Sequence, residues 1–135
     1  FRPVALTDNT AVLSACANDH GYDDVFAQQV ANYVKPGDVV LAISTSGDST
    51  NVIRCVRMAG NLGAKTIGFV GFDGGVLAKV AHLCLHIRIH CAEQVEDVHL
   101  MLGHLITVAL REHTQRITAD SEGSRKRVCG DGRGD

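Results

Sequence analysis

No hydrophobic run in the sequence approaches the roughly 20 residues that a membrane-spanning helix needs. No signal peptide is visible, although the first residue is Phe1 and not Met. Excess charge is also lacking. The 13 Lys and Arg against 15 Asp and Glu give a formal net charge of −2, so nothing in the overall electrostatics calls for nucleic acid or an anionic membrane as partner. There is no CxxC pair and no internal repeat. The five cysteines, Cys16, Cys55, Cys84, Cys91 and Cys129, are odd in number and widely spaced. That pattern argues against a thiolate metal site and for reduced thiols in a cytoplasmic protein, three or four of them filling core positions.

What is present is an ordinary globular composition. The chain has 135 residues, 45% apolar and 21% charged, which is about one domain with enough length to bury a core. Residues 3–6 read as a short apolar strand and residues 11–17 as a short helix broken by Asn18, Asp19, His20 and Gly21. Helical spacing of Phe26, Val30, Tyr33 and Val34 marks a second helix. It ends at Lys35-Pro36-Gly37-Asp38, a β-turn sequence. Residues 39–43 form a continuous apolar run, as expected of a parallel strand covered on both faces. Val52, Val56 and Ala59 make a helical stripe with Gly63 at its C-cap, and residues 66–70 are a second buried strand. Residues 75–81 form a short helix, and residues 83–89 alternate like an edge strand. Residues 93–113 make a long helix with core positions Val95, Val98, Leu102, Leu105, Ile106 and Ala109. Leu100, Met101 and Val108 add apolar surface that points to a subunit interface. Alternating strands and helices imply an α/β fold with a parallel sheet. The pattern stops near Ile117, so residues 1–117 read as the domain and 118–135 as a disordered tail. In that tail the basic run Ser124-Arg125-Lys126-Arg127 reads as solvated and the final Arg133-Gly134-Asp135 as chance.

The chemistry centres on Ser44-Thr45-Ser46-Gly47-Asp48-Ser49, set between a buried strand and a helix. In parallel α/β sheets, ligands bind at the carboxyl ends of strands. The next helix offers open N–H groups and a positive dipole end, the hydroxyls offer donors to phosphate oxygens, and Gly47 lets the backbone approach an anion. No Lys follows, so the loop is not a nucleoside-triphosphate P-loop. A neutral hydroxyl cradle suits one phosphate monoester. The plain alternative is that Ser49 is a helix N-cap and the other hydroxyls are solvated. Four hydroxyls in six positions exceed what a cap requires.

The stretch from Ile43 through Ser49 resembles the phosphate loop of SIS (sugar isomerase) domains. Asn18-Asp19 with Gly21, and Val95-Glu96-Asp97-Val98-His99-Leu100-Met101-Leu102-Gly103-His104, resemble segments of phosphoheptose isomerases within that superfamily. The resemblance implies a three-layer α/β/α sandwich with a flavodoxin-like parallel sheet. It also implies interconversion of sedoheptulose 7-phosphate and a glycero-manno-heptose 7-phosphate, and a homotetramer. On this basis Ser44, Thr45, Ser46 and Ser49 contact phosphate, and Asn18 and Asp19 touch the sugar. Glu96 and His104 meet the reacting end and, in some members, a zinc ion. The family usually carries Gln at the position of Glu96; a carboxylate there is a charged ligand that can serve as a base. The resemblance further implies a preceding helix, strand and Gly-rich loop that supply a catalytic Glu, a metal-binding His and another Ser, so the chain reads as an incomplete isomerase.

Aldose–ketose isomerisation moves a proton between adjacent carbons, which makes His104 the leading acid/base. Glu96 and His104 stand eight positions apart, about 12 Å along a continuous helix. They share a zinc only if their side chains reach toward each other or Glu96 precedes the first regular turn. His82, His86 and His90 read as a solvated polar face and not as metal ligands. Two functions remain at this stage: a phosphoheptose-type isomerase, and a non-catalytic SIS domain that senses a phosphosugar or binds a partner, as in the relative associated with the bacterial replication initiator.

Overall fold

The structure, a computed structural model, describes residues 2–128, with side chains through residue 119. The chain divides into two units, Phe1–His99 and Leu100–Asp135. In chain order the elements are α1 (Thr10–His20), a 3-10 turn (Tyr22–Asp24), α2 (Val25–Tyr33), β1 (Val39–Ser44), α3 (Thr50–Asn61), β2 (Lys65–Val70), α4 (Leu77–Val80), β3 (Leu83–His86) and α5 (Ala92–Val128). The three strands form one parallel sheet in the order β1-β2-β3. This is the parallel α/β fold that the alternating pattern implied.

On one sheet face, Ala42, Val70 and Cys84 pack with Ile53 and Val56 of α3 and Leu77 of α4. Beside them Val30 of α2 joins Cys55 and Ala59 of α3, Ala64 and Val40. Gly68 faces these helices, and a Cβ there would stand 3.2 Å from both Ala81 and Leu77, so its small size sets how closely α4 lies on β2. On the opposite face Phe69 is fully buried, with the ring of His99 at 5.6 Å. Val39, Leu41 and Ile43 on that same face of β1 are 62%, 44% and 53% exposed. The apolar run is therefore covered on one side only among the described residues.

Helix ends follow local chemistry. Asn9 caps α1, its Oδ1 accepting from Val12 N–H at 3.1 Å. At the end of α3, Gly63 adopts φ +85 and donates to Gly60 O at 3.0 Å, while Ala64 N–H reaches Ala59 O at 3.0 Å. That is a Schellman closure, which needs the left-handed residue that glycine supplies. Lys35 to Asp38 forms the expected turn, closed by Asp38 N–H to Lys35 O at 3.1 Å and Lys35 N–H to the Asp38 carboxylate at 2.8 Å.

Several expectations are corrected. Residues 3–6 form no strand; a strand needs a neighbour to complete its backbone ladder, Pro3 has no N–H to give, and Ala5 instead accepts a turn bond from Asp8. The third strand stops at His86, because β2, its only ladder partner among the described residues, ends opposite it at Val70. Beyond it, Ile87 donates to Val70 O and Ile89 turns back onto Ile87 O. Tyr33 is exposed, and α2 instead buries Val25, Ala27, Gln29 and Val30. Gln29 is tolerated there because its side-chain amide donates to Val25 O at 3.0 Å. His82 and His90 are exposed, as a solvated face requires, and His86 is half-buried; His82 Nδ1 also meets Thr66 Oγ1 at 2.8 Å and His86 Nε2 meets Phe72 O at 2.8 Å. Of the four described cysteines, only Cys55 is buried, and Cys16, Cys84 and Cys91 are half-buried. In the second unit Leu105, expected in the core, is 64% exposed, and Ala109 is exposed as well. Leu100, Met101 and Val108 are exposed apolar residues, as the pattern suggested. The long helix continues past residue 117 to Val128; Arg, Glu, Lys and Ala in that stretch are good helix formers. Residues 129–135, including Arg133-Gly134-Asp135, lie outside the described residues. No helix among the described residues is long and apolar enough to cross a membrane.

Two outcomes follow from this packing. Replacing Gly63 by Ala forces a Cβ into the left-handed region and to 3.2 Å from Pro36. The urea midpoint should drop by the equivalent of about 1–2 kcal/mol. Burial pushes the Cys55 thiol up to about 11 from 9.0. A raised acid favours its neutral form in the folded state, so its contribution is present below pH 9.0 and is lost as pH rises through about 11. The stability gap between wild type and Cys55→Ala, read by urea melts, should narrow across that window.

Candidate phosphate-binding loop

The register sets Ser44 opposite Val70, so β1 and β2 end at the same level. Two loops leave that carboxyl edge side by side, residues 44–49 from β1 and residues 71–76 from β2. They are joined at their roots by Gly71 N–H donating to Thr45 O at 2.8 Å. A Cβ on Gly71 would lie 2.8 Å from that carbonyl and 2.6 Å from Val95 of α5, so only glycine lets strand, loop and helix meet here.

The serine loop is a closed turn. Gly47, at φ +75, donates its N–H toward Ser44 O at 3.0 Å and Ser44 Oγ at 3.1 Å. Asp48 N–H donates to Ser46 Oγ at 3.2 Å. Ser44 Oγ donates to Ser49 Oγ at 3.0 Å. Ser44 is buried, Thr45 half-buried, and Ser46 and Ser49 exposed. The four hydroxyls thus divide their work. Ser44 is spent on holding the turn, whereas Ser46 and Ser49 keep their own protons available to a ligand. Ser49 occupies the N-cap position of α3 but makes no side-chain cap bond. The plain capping reading therefore does not account for it, and the helix start stays open toward an anion.

The second loop braces the first. Leu77 N–H donates to Gly47 O at 2.8 Å, and Val76 N–H donates to Asp48 Oδ1 at 2.9 Å. Phe72 in this loop has φ 43, a left-handed value for a bulky residue, and its carbonyl is held by His86. Such strain persists only where surroundings over-determine it.

The first turns of α5 bring Glu96 to this edge. Thr45 Oγ1 donates to Glu96 Oε1 at 3.4 Å, at the long end for a hydrogen bond. Val95 and His99 are buried, one helical turn apart, and His99 Nε2 donates to Val70 O at 3.3 Å. His99 Nδ1 has no hydrogen-bond partner among the described residues. The Glu93 carboxyl in the first turn is held below its ordinary value by its own backbone N–H and by the Cys91 thiol.

Ser44, Thr45, Ser46, Ser49 and Glu96 are thus gathered at one edge of the sheet. Asn18 and Asp19 are exposed on the last turn of α1 and bond to each other at 2.9 Å, and no described hydrogen bond ties them to the loop. His104 is an exposed residue of α5 in the unit that starts at Leu100. For zinc, no group of three or more His, Cys, Asp or Glu side chains comes together among the described residues. Glu96 and His104 alone are two donors short of the four that zinc takes in protein sites. Sequence reasoning missed Asp48 as a bonding partner and His99 as a buried one. The only signal for His99 was its spacing of four from Val95.

Comparison with known proteins supports the fold and places the chain in a family. The chain is 41% identical to a phosphoheptose isomerase of Rhodospirillum rubrum over 103 residues, 76% of this chain and 55% of that protein. Solved structures of phosphoheptose isomerases from Francisella tularensis and Neisseria gonorrhoeae each superpose with a TM-score of 0.74, at 32% and 37% identity. They cover 77% and 76% of this chain and 58% and 57% of theirs. The chain therefore spans a little over half the length of these relatives. The SIS domain family matches residues 2–71, just over half of the sequence, and this chain belongs to that family.

Proposed function

We propose that this chain is the phosphosugar-binding part of a phosphoheptose isomerase, which interconverts sedoheptulose 7-phosphate and D-glycero-D-manno-heptose 7-phosphate in the cytoplasm. The observation that carries the reading is the serine loop: a closed turn presenting Ser46 and Ser49 hydroxyls over an uncapped helix start. The relatives named phosphoheptose isomerase support the substrate class. Nothing favours the non-catalytic sensor over it.

In this reading the loop anchors phosphate and leaves the sugar's reacting end to other groups. Thr45, bonded to Glu96, couples the phosphate side to a carboxylate. Glu96 acts as base or as a partner to the sugar oxygens during enediol formation. Asn18 and Asp19 as sugar contacts, and His104 as the acid/base that hands a proton to the neighbouring carbon, rest on resemblance alone. Zinc is a further proposal on the same footing. Glu96 and His104 would be among its ligands, and the metal would polarise the sugar oxygens.

Calorimetry should show binding of sedoheptulose 7-phosphate and at least tenfold weaker binding of sedoheptulose; equal affinities would remove the reading. Ser46→Ala should weaken the phosphosugar by about tenfold to a hundredfold, the worth of one hydrogen bond to a charged group. Turnover is to be measured on the chain alone and on the protein extended to its relatives' length. The chain alone should be nearly inactive, and His104→Ala should abolish activity in the longer protein. An unaffected variant would take His104 out of the mechanism.

Assembly as a homotetramer is proposed on the exposed apolar residues Leu100, Met101, Leu105 and Val108 of α5. Light scattering of the longer protein should give a multiple of its monomer mass, and a stable monomer would count against assembly.

A further inference from the structure

We infer that Asp48 is a positioning residue of the phosphate loop: its carboxylate locks that loop onto the neighbouring glycine turn and so fixes where Ser46 and Ser49 present their hydroxyls. The inference rests on the phosphosugar reading above.

An acid in the middle of an anion-binding loop is electrostatically adverse, since it repels the charge the loop is built to hold. No described ion pair neutralises Asp48. Its carboxylate must therefore serve the site in some way other than through its charge, and the hydrogen bonds show how. Asp48 Oδ1 accepts from Val76 N–H at 2.9 Å, and the preceding carbonyl, Gly47 O, accepts from Leu77 N–H at 2.8 Å. Two consecutive acceptors on one loop thus meet two consecutive donors on the other.

The strap is taut. A Cβ on Gly47 would fall 2.1 Å from Gly74 O, and one on Gly75 would fall 2.6 Å from Asp48 Oδ1. The two backbones already touch, so the loops cannot move closer, and moving apart breaks both bonds. Asp48 is also coupled to the ligand side, because its own N–H donates to Ser46 Oγ at 3.2 Å. Freeing Asp48 frees the residue that orients the Ser46 hydroxyl. What the lock needs at position 48 is an acceptor oxygen, not a negative charge. Asparagine keeps that oxygen in the same place, whereas alanine removes it.

The test compares wild type, Asp48→Asn and Asp48→Ala with two readouts. Amide hydrogen exchange at Val76, followed by NMR, reports the lock itself. Calorimetry with sedoheptulose 7-phosphate reports its effect on the site. Asp48→Ala should speed exchange at Val76 and weaken binding, each by about tenfold, while Asp48→Asn stays within about threefold of wild type in both. Unchanged exchange at Val76 in Asp48→Ala would overturn the lock. So would an Asp48→Asn variant as impaired as Asp48→Ala, because charge would then be what matters. If wild type bound no phosphosugar, the reading of the site would fail, and Val76 exchange alone would decide on the lock.

Discussion

The contact between the ends of β1 and β2 governs the rest of the molecule. Parallel pairing brings Ser44 level with Val70, and the next residue on each strand is tied through Gly71 N–H and Thr45 O. The backbones come so close there that side chains are excluded at Gly71, Gly47 and Gly75. A helix, two loops and two strands converge on that junction. None can be shifted alone, because each fills the space that another's missing Cβ leaves. Close packing of this kind turns a flexible Ser/Thr/Gly stretch into a fixed arrangement of donors.

The apolar core serves that junction from below. Ile53 and Val56 seat α3 on Ala42 and Val70, which aims the start of α3 at the serine loop. Leu77 is fully buried in the same cluster, and its N–H is the one that holds Gly47 O. On the other face Val95 and His99 register α5 against the end of β2, and that placement sets Glu96 beside Thr45. Hydrophobic burial supplies the adhesion, and directional bonds to Val70 O, Gly47 O and Thr45 O choose one arrangement among many that would bury similar area.

Much of this was legible in the sequence because it is local. An apolar run that stops at a hydroxyl cluster marks a strand end, and Gly63 after a helical stripe marks a Schellman closure. Lys35 to Asp38 spells its own turn. What escaped is what depends on contacts between distant residues. Asp48 looks like a solvated loop acid until its partner 28 residues away is known, and Thr45 meets Glu96 across 51 residues. Apolar periodicity selected Leu105 and Tyr33, which are exposed, and passed over His99 and Gln29, which are buried and satisfied through backbone carbonyls. Hydrophobic pattern reports which residues avoid water, not which polar ones the fold can satisfy. Residues 3–6 have the composition of a strand, but a strand is a property of a pair.

The position of β1 has a cost in handling. It is a terminal strand of the described sheet, with Leu41 and Ile43 exposed on one face. Val39-Val40-Leu41-Ala42-Ile43 is uncharged, rich in strand-forming residues and free of proline, the profile of a segment that templates cross-β growth. Its gatekeepers sit outside the run: Lys35, Pro36 and Asp38 before it and Asp48 after it. Pairing between copies of this chain is expected to start along that free edge. The strand that delivers Ser44 to the site is thus also the edge most open to unwanted pairing.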